Sequence, residues 1–203
     1  MIKNFTCTCV FLLGLALSGW SQFEGKIFYN VTYQATDSNA LPFLSMLPKE
    51  SVLYIKDYQI RFNQSIAGGG AQSFIVNSAL NTSTLVMQFM GQSFQVNLDG
   101  EELQQLELTQ KLKIVEGTKT KEICGQVCNE AFALSNNDSL QIFYAPNLKT
   151  TCILPQFADL KGLPLEYEVL NEYLRIKYSC EKIEEKHLSL QIFDVSDYVP
   201  KIP

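Results

Sequence analysis

The chain carries a single histidine among 203 residues, and after its first 21 residues no apolar run approaches the roughly 20 that a membrane-spanning helix needs. The lone His187 rules out histidine-rich metal centres. A zinc site would have to combine His187 with cysteines, and Cys124-x3-Cys128 is the one close pair left after the leader. The Gly-x-Ser-x-Gly elbow of serine hydrolases, the His-Glu-x-x-His of zinc proteases and the EF-hand spacing are all missing. Gly68-Gly69-Gly70 lacks the following Lys-Ser/Thr of a phosphate-binding loop and reads as a flexible connector. These absences leave no catalytic residue, metal ligand or cofactor to name.

The remaining candidates for chemistry have plain structural readings. Cys180 and His187 are close in sequence, yet a hairpin brings such residues together without any nucleophilic role. Glu166 and Glu168 share one face of a strand, roughly 6.6 Å apart along it, which is the spacing of a solvated sheet face as much as of an acid–base pair. Asn-x-Ser/Thr triplets at Asn30, Asn63, Asn81 and Asn137 would be glycan acceptors in a eukaryotic secretory route, but Asn and Ser are common turn residues and such triplets arise by coincidence.

Charged residues make up 18% and hydrophobic ones 46%, a balance that folds into a globule instead of remaining disordered. The length suits one domain with a substantial core. Met1 to Ser21 reads as a secretory signal: Lys3 gives the basic start, Val10 to Leu17 the apolar core, and Gly19-Trp20-Ser21 the small residues before a cut at Gln22. Residues 22–203 then form a single antiparallel β domain, exported to the periplasm or the exterior. Losing residues 1–21 removes one lysine and no acid, so the net charge moves from −5 to −6. That sign argues against nucleic acid as a partner.

Four cysteines follow the leader: Cys124, Cys128, Cys152 and Cys180. An even number in an exported chain predicts two disulfides, with three possible pairings. On one straight strand Cys124 and Cys128 lie some 13 Å apart, too far to bridge, unless Gly125 makes a bulge. The spacing therefore favours links from this strand to Cys152 and Cys180.

Lys121 to Pro146 organises the chain. Two apolar runs flank Ser135-Asn-Asn-Asp138, a hairpin signal, because Asn and Asp tolerate positive φ. Alternation predicts further strands at Phe23–Ala35, Ser51–Ile55, Gln59–Asn63, Ser73–Asn77, Thr84–Met90, Ser93–Leu98, Leu165–Val169, Tyr173–Ser179 and Leu188–Val195. Glu101–Leu112 is read as a short helix and Gln156–Gly162 as a loop or single helical turn. The sum is an all-β fold with one or two short helices: a curled antiparallel sheet, or half-open β-barrel, of about ten strands.

The segment around Tyr54-Ile-Lys-Asp57, the Gly-rich loop and Met90-Gly91-Gln92 resembles an uncharacterised family of exported proteins from Gram-negative bacteria. Ile123-x-Gly125-x-x-Cys128 and Gly162-Leu-Pro-Leu-Glu-Tyr167 resemble two further motifs of that family. The resemblance implies a fold similar to the lipoprotein-carrier (LolA-like) half-barrel, curled around an apolar cavity. Cys124, Cys152 and Cys180 lie outside the motifs, so no disulfide pattern comes with it, and neither do catalytic residues.

Large apolar side chains on the strands are the remaining signal. Phe74, Leu85, Met87, Phe89 and Phe94 alternate along the meander, and Ile142, Tyr144 and Tyr167 follow in the second half. Leu44, Met46 and Leu47 belong to a proline-bracketed segment suited to a lid. Together they are the expected lining of a cavity for a lipid or other apolar small molecule; a filled core is the plain alternative. The expected function is a non-enzymatic carrier of a hydrophobic ligand, with an envelope structural or interaction module as the second reading.

Overall fold

The computed structural model describes residues 22–66, 69–100, 102, 112–135 and 138–195. The expected leader and most of the expected helix at Glu101–Leu112 lie outside them. Eleven strands form one antiparallel sheet. In chain order they are β1 (Gly25–Ala35), β2 (Glu50–Lys56), β3 (Gln59–Ile66), β4 (Gly70–Asn77), β5 (Thr82–Phe89), β6 (Gln92–Asp99), β7 (Lys113–Ile123), β8 (Gln126–Ser135), β9 (Asp138–Ala145), β10 (Leu163–Leu170) and β11 (Leu174–Glu185). Their order across the sheet is β6-β5-β4-β3-β2-β1-β11-β10-β9-β8-β7, so two meanders meet at the central β1–β11 pair and leave β6 and β7 as edges. The all-β, curled antiparallel expectation holds.

Tight turns set the register. Cys124 and Gly125 join β7 to β8 with φ of 50° and 75°, the pair of positive angles that a type I′ turn requires and that glycine supplies without strain. Cys124 is thus a turn residue, not part of a strand shared with Cys128. Strand β7 was not expected. Its residues are mostly exposed, so they carry no apolar alternation for a sequence pattern to detect. The expected strand at Leu188–Val195 is instead an irregular arm with a 3-10 turn at Leu190–Phe193. The alternation of Leu188, Leu190 and Ile192 imitated a strand, yet the buried residues are Leu188 and Phe193, five apart, while Leu190 is exposed.

One face of the sheet is concave. Phe62 of β3 and Tyr178 of β11 lie three strand spacings apart in the sheet order, about 14 Å if the sheet were flat. Their rings nonetheless meet at 5.7 Å, and Gln64 Nε2 donates to the Tyr178 hydroxyl at 3.3 Å. This inner face holds the core. Tyr29, Tyr167 and Tyr178 form an aromatic cluster, with Tyr167 and Tyr178 stacked at 4.7 Å. The Tyr29 hydroxyl donates to the Pro164 carbonyl at 2.7 Å, satisfying a polar group that burial would otherwise penalise.

The connection from Pro146 to Gly162 fills one end of the concavity. Phe157 is fully buried, with its ring 5.0 Å from Tyr167. The Thr151 hydroxyl donates to the Asp57 carbonyl in the β2–β3 turn, and Phe23 N–H donates to Lys149 O. The opposite end is bordered by a 3-10 helix at Ser38–Met46, N-capped by Asp37, and by the β5–β6 turn at Met90–Gly91. On the outer face the arm at residues 186–195 crosses β3, where Arg61 donates to Ile192 O at 2.6 Å.

Candidate functional site

Strand register places the apolar residues of the meander on the concave face. Phe62 lies opposite Phe74, Phe74 opposite Leu85, and Leu85 opposite Val96. One row further, Met87 faces Phe94. Residues directly opposite in an antiparallel pair share a face, so this is one apolar surface continuous with the core. Its exposure increases towards the β6 edge. Phe74 and Leu85 are half-buried, whereas Met87 is 36% exposed, Phe89 44%, Val96 48% and Phe94 53%. The reverse sides of β5 and β6 are mostly polar, with Thr84 and Gln95 both bonded to Asn97, and Val86 is the buried apolar exception on β5. Large apolar side chains at the β6 edge thus face inward although nothing among the described residues covers the inner side.

The expected cavity lining divides into three groups. Ile142, Tyr144 and Tyr167 are buried in the filled part of the core and line no open space. The filling comes from the Pro146–Gly162 connection, whose Phe157 occupies the position a ligand would need beside Tyr167. Phe74, Leu85, Met87, Phe89 and Phe94 lie on the open apolar face. Leu44 and Leu47 are half-buried and Met46 is exposed, in the 3-10 segment at the same end of the sheet. That segment borders an apolar groove of 330 Å³ between Ala40, Phe43 and Leu47 on one side and Tyr173 and Leu174 on the other. Phe43 and Tyr173 had not been singled out. Their pairing depends on how the β10–β11 turn meets the 3-10 helix, which no local pattern encodes.

The other candidates are occupied by structural contacts. Glu166 Oε2 accepts from Lys121 at 2.8 Å, and Lys177 approaches its other oxygen at 3.3 Å. Burial works against the Glu166 charge, but the Lys121 hydrogen bond and the two lysine charges outweigh it and hold the carboxyl below its ordinary range. Glu168 accepts from Arg175 at 2.8 Å. Both carboxylates are held in ion pairs on the outer face of the sheet. His187 is exposed, with Nδ1 3.2 Å from Glu24 and 3.4 Å from Lys56 Nζ, while Cys180 contacts Cys124. No group of three metal-ligating side chains occurs among the described residues.

A polar cleft of 270 Å³ opens on the outer face among Glu50, Tyr54, Arg61, Asn63, Ser73 and Gln88. The Arg61 guanidinium there is engaged by Asn63, Ser73 and Ile192, which makes it part of the frame that holds the arm. Among the described residues Cys124, Cys128, Cys152 and Cys180 are free thiols with no sulfur pair at bonding distance, so neither of the two expected disulfides is formed between them. Cys152 is buried, with its sulfur 4.0 Å from the Val76 carbonyl. Burial, with Cys124 nearby, pushes the Cys128 thiol up to about 11.

No family model matches the chain, and no curated protein matches it. Among solved structures, PNGF-II in two crystal forms is similar in part. One form has a TM-score of 0.49 at 14% identity, over 84% of this chain and 30% of that one. The other has a TM-score of 0.47 at 15% identity, over 83% and 30%. The chain therefore spans under a third of the length of PNGF-II.

Proposed function

We propose that this is an exported, non-enzymatic protein that holds a hydrophobic or lipid-like ligand on the concave face of its half-barrel. The observation that carries this reading is the apolar surface of Leu85, Met87, Phe89, Phe94 and Val96, in register, continuous with the core and covered by nothing among the described residues. Leaving large apolar side chains in water costs about 25 cal/mol per Å², and a contiguous uncovered patch marks a binding surface. The resemblance of residues 46–98 to an exported family similar to the lipoprotein-carrier half-barrel supports the same reading. So does the secretory pattern of Met1 to Ser21. The groove at Phe43 and Tyr173 has the size at which small-ligand pockets begin, and the 3-10 segment beside it is the natural cover.

Native mass spectrometry of the full chain purified in mild detergent tests this. The expected result is a population carrying lipid-sized adducts, which disappears in the double variant Met87→Asp, Phe94→Asp. Protein that emerges free of adducts and takes up no fatty acid when offered one overturns it. A second reading, an envelope interaction module, is favoured by β6 having no neighbour on its outer side among the described residues, beside the same apolar face. Under that reading the purified protein self-associates or captures a protein partner while remaining lipid-free.

A further inference from the structure

Cys124 and Cys180 are separated by 56 residues, yet their sulfurs lie 3.3 Å apart. The type I′ turn at Cys124–Gly125 projects the first thiol beyond the ends of β7 and β8. The second lies on β11, where the register with β1 shifts between Phe28 and Tyr29 and Cys180 comes opposite Tyr29. The hairpin tip is drawn towards this part of the sheet by Lys121, which reaches Glu166 on β10 and sits over the Phe143 ring of β9. Cys124 Sγ also touches the Cys180 carbonyl at 3.4 Å. The other two cysteines are placed differently: Cys128 is buried with its sulfur on Gln126 O, and Cys152 is buried beside Val76.

We propose that Cys124 and Cys180 form a single redox-sensitive disulfide that clamps the β7–β8 hairpin tip onto β11, and that Cys128 and Cys152 remain thiols. A disulfide sulfur–sulfur bond is about 2.05 Å, so closure needs a movement of little more than 1 Å, which side-chain rotation at an exposed turn supplies. The inference stands independently of any ligand. Cys124 is exposed and Cys180 is partly covered. Burial, with the adjacent Cys124, holds the Cys180 thiol well above the ordinary thiol range. Cys124 therefore reacts first.

The oxidant is a small-molecule or protein disulfide. The Cys124 thiolate attacks one donor sulfur, breaking the donor S–S bond, and its proton passes to the displaced thiolate. Cys180 then attacks Cys124 Sγ in the mixed disulfide, and its proton passes to the second departing thiolate. One protein S–S bond has formed, the donor is reduced to two thiols, and the protein has lost two hydrogens.

The test is to equilibrate the full chain with oxidised glutathione, alkylate the remaining thiols, and digest without reduction. Trypsin cuts after Lys121, Lys149, Lys177 and Lys182. The expected product joins the peptide spanning 178–182 to the peptide spanning 122–149, with fragmentation placing the link on Cys124 and the alkyl label on Cys128 and Cys152. The link is kept in C128S and lost in C124S and C180S. The melting temperature of the wild type rises on oxidation by several degrees, up to about 10 °C, and that of C124S does not. Alkyl label on both Cys124 and Cys180 after oxidation, or a link through Cys128 or Cys152, overturns the proposal. So does an equal redox shift in C124S.

Discussion

Two phenylalanines in the same concavity, one in the plug and one on the sheet, should behave in opposite ways. Phe157 is fully buried at the centre of the plug, 5.0 Å from the Tyr167 ring. Phe94 is 53% exposed on the edge strand. Truncating a buried Phe to Ala removes its transfer free energy and leaves a cavity, together about 3–5 kcal/mol. For a domain of this size each kcal/mol lowers the melting temperature by about 2–4 °C, so Phe157→Ala should melt roughly 6–20 °C below the wild type. Phe94→Ala removes a ring that is mostly in water and should change stability by no more than about 0.5 kcal/mol. It should instead weaken uptake of a fatty acid. Urea denaturation of both variants, with the slope compared to confirm unchanged two-state unfolding, measures the first pair of effects. Equal costs for the two truncations would refute the division of this face into a filled end and an open one. So would a cost above about 2 kcal/mol for Phe94→Ala.

Two further perturbations follow from the frame. Glu24 accepts from Leu188 N–H and from Lys56 Nζ, each at 2.6 Å. The Leu188 bond and then the Lys56 bond hold its carboxyl below the ordinary 4.5. A carboxyl whose folded value is depressed contributes stability above its unfolded value and loses it as pH falls through the folded one. Glu24→Gln should therefore narrow the difference in unfolding free energy between pH 7 and pH 3, measured by urea titration, and an unchanged difference would count against the bond. At Gly162 a Cβ would run into the Ala145 carbonyl, where β10 begins against β9. Gly162→Ala should cost about 1–3 kcal/mol, and a variant melting at the wild-type temperature would contradict that close approach.

The parts of this fold that were legible from sequence are those governed by local rules. Ile27, Tyr29, Val31 and Tyr33 alternate on β1, and the runs around Ser135 to Asp138 form the β8–β9 hairpin. Strand β7 was missed because most of its residues are exposed and its few covered ones, such as Ile114 and Ile123, show no sustained alternation. The arm at Leu188–Phe193 was misread because its burial comes from crossing β3, a long-range contact. The same limit governs the site. Alternation marked Phe94 and Tyr167 alike as inward-facing. Only the path of Pro146–Gly162, which places Phe157 against Tyr167, separates the covered residue from the open one. Likewise the proximity of Cys124 to Cys180 depends on sheet curl and a turn at Gly125, whereas spacing alone did not choose between Cys152 and Cys180 as the partner of Cys124.

The central claim is that the inner side of β5 and β6, which nothing among the described residues covers, receives an apolar chain. Photolabelling the full-length protein with a fatty acid bearing a diazirine near its methyl end tests it most directly, because the label is read residue by residue. The account predicts label concentrated between Leu85 and Val96, competed away by unlabelled fatty acid. Label scattered over the outer face, or none above that on an unrelated globular protein, would contradict it.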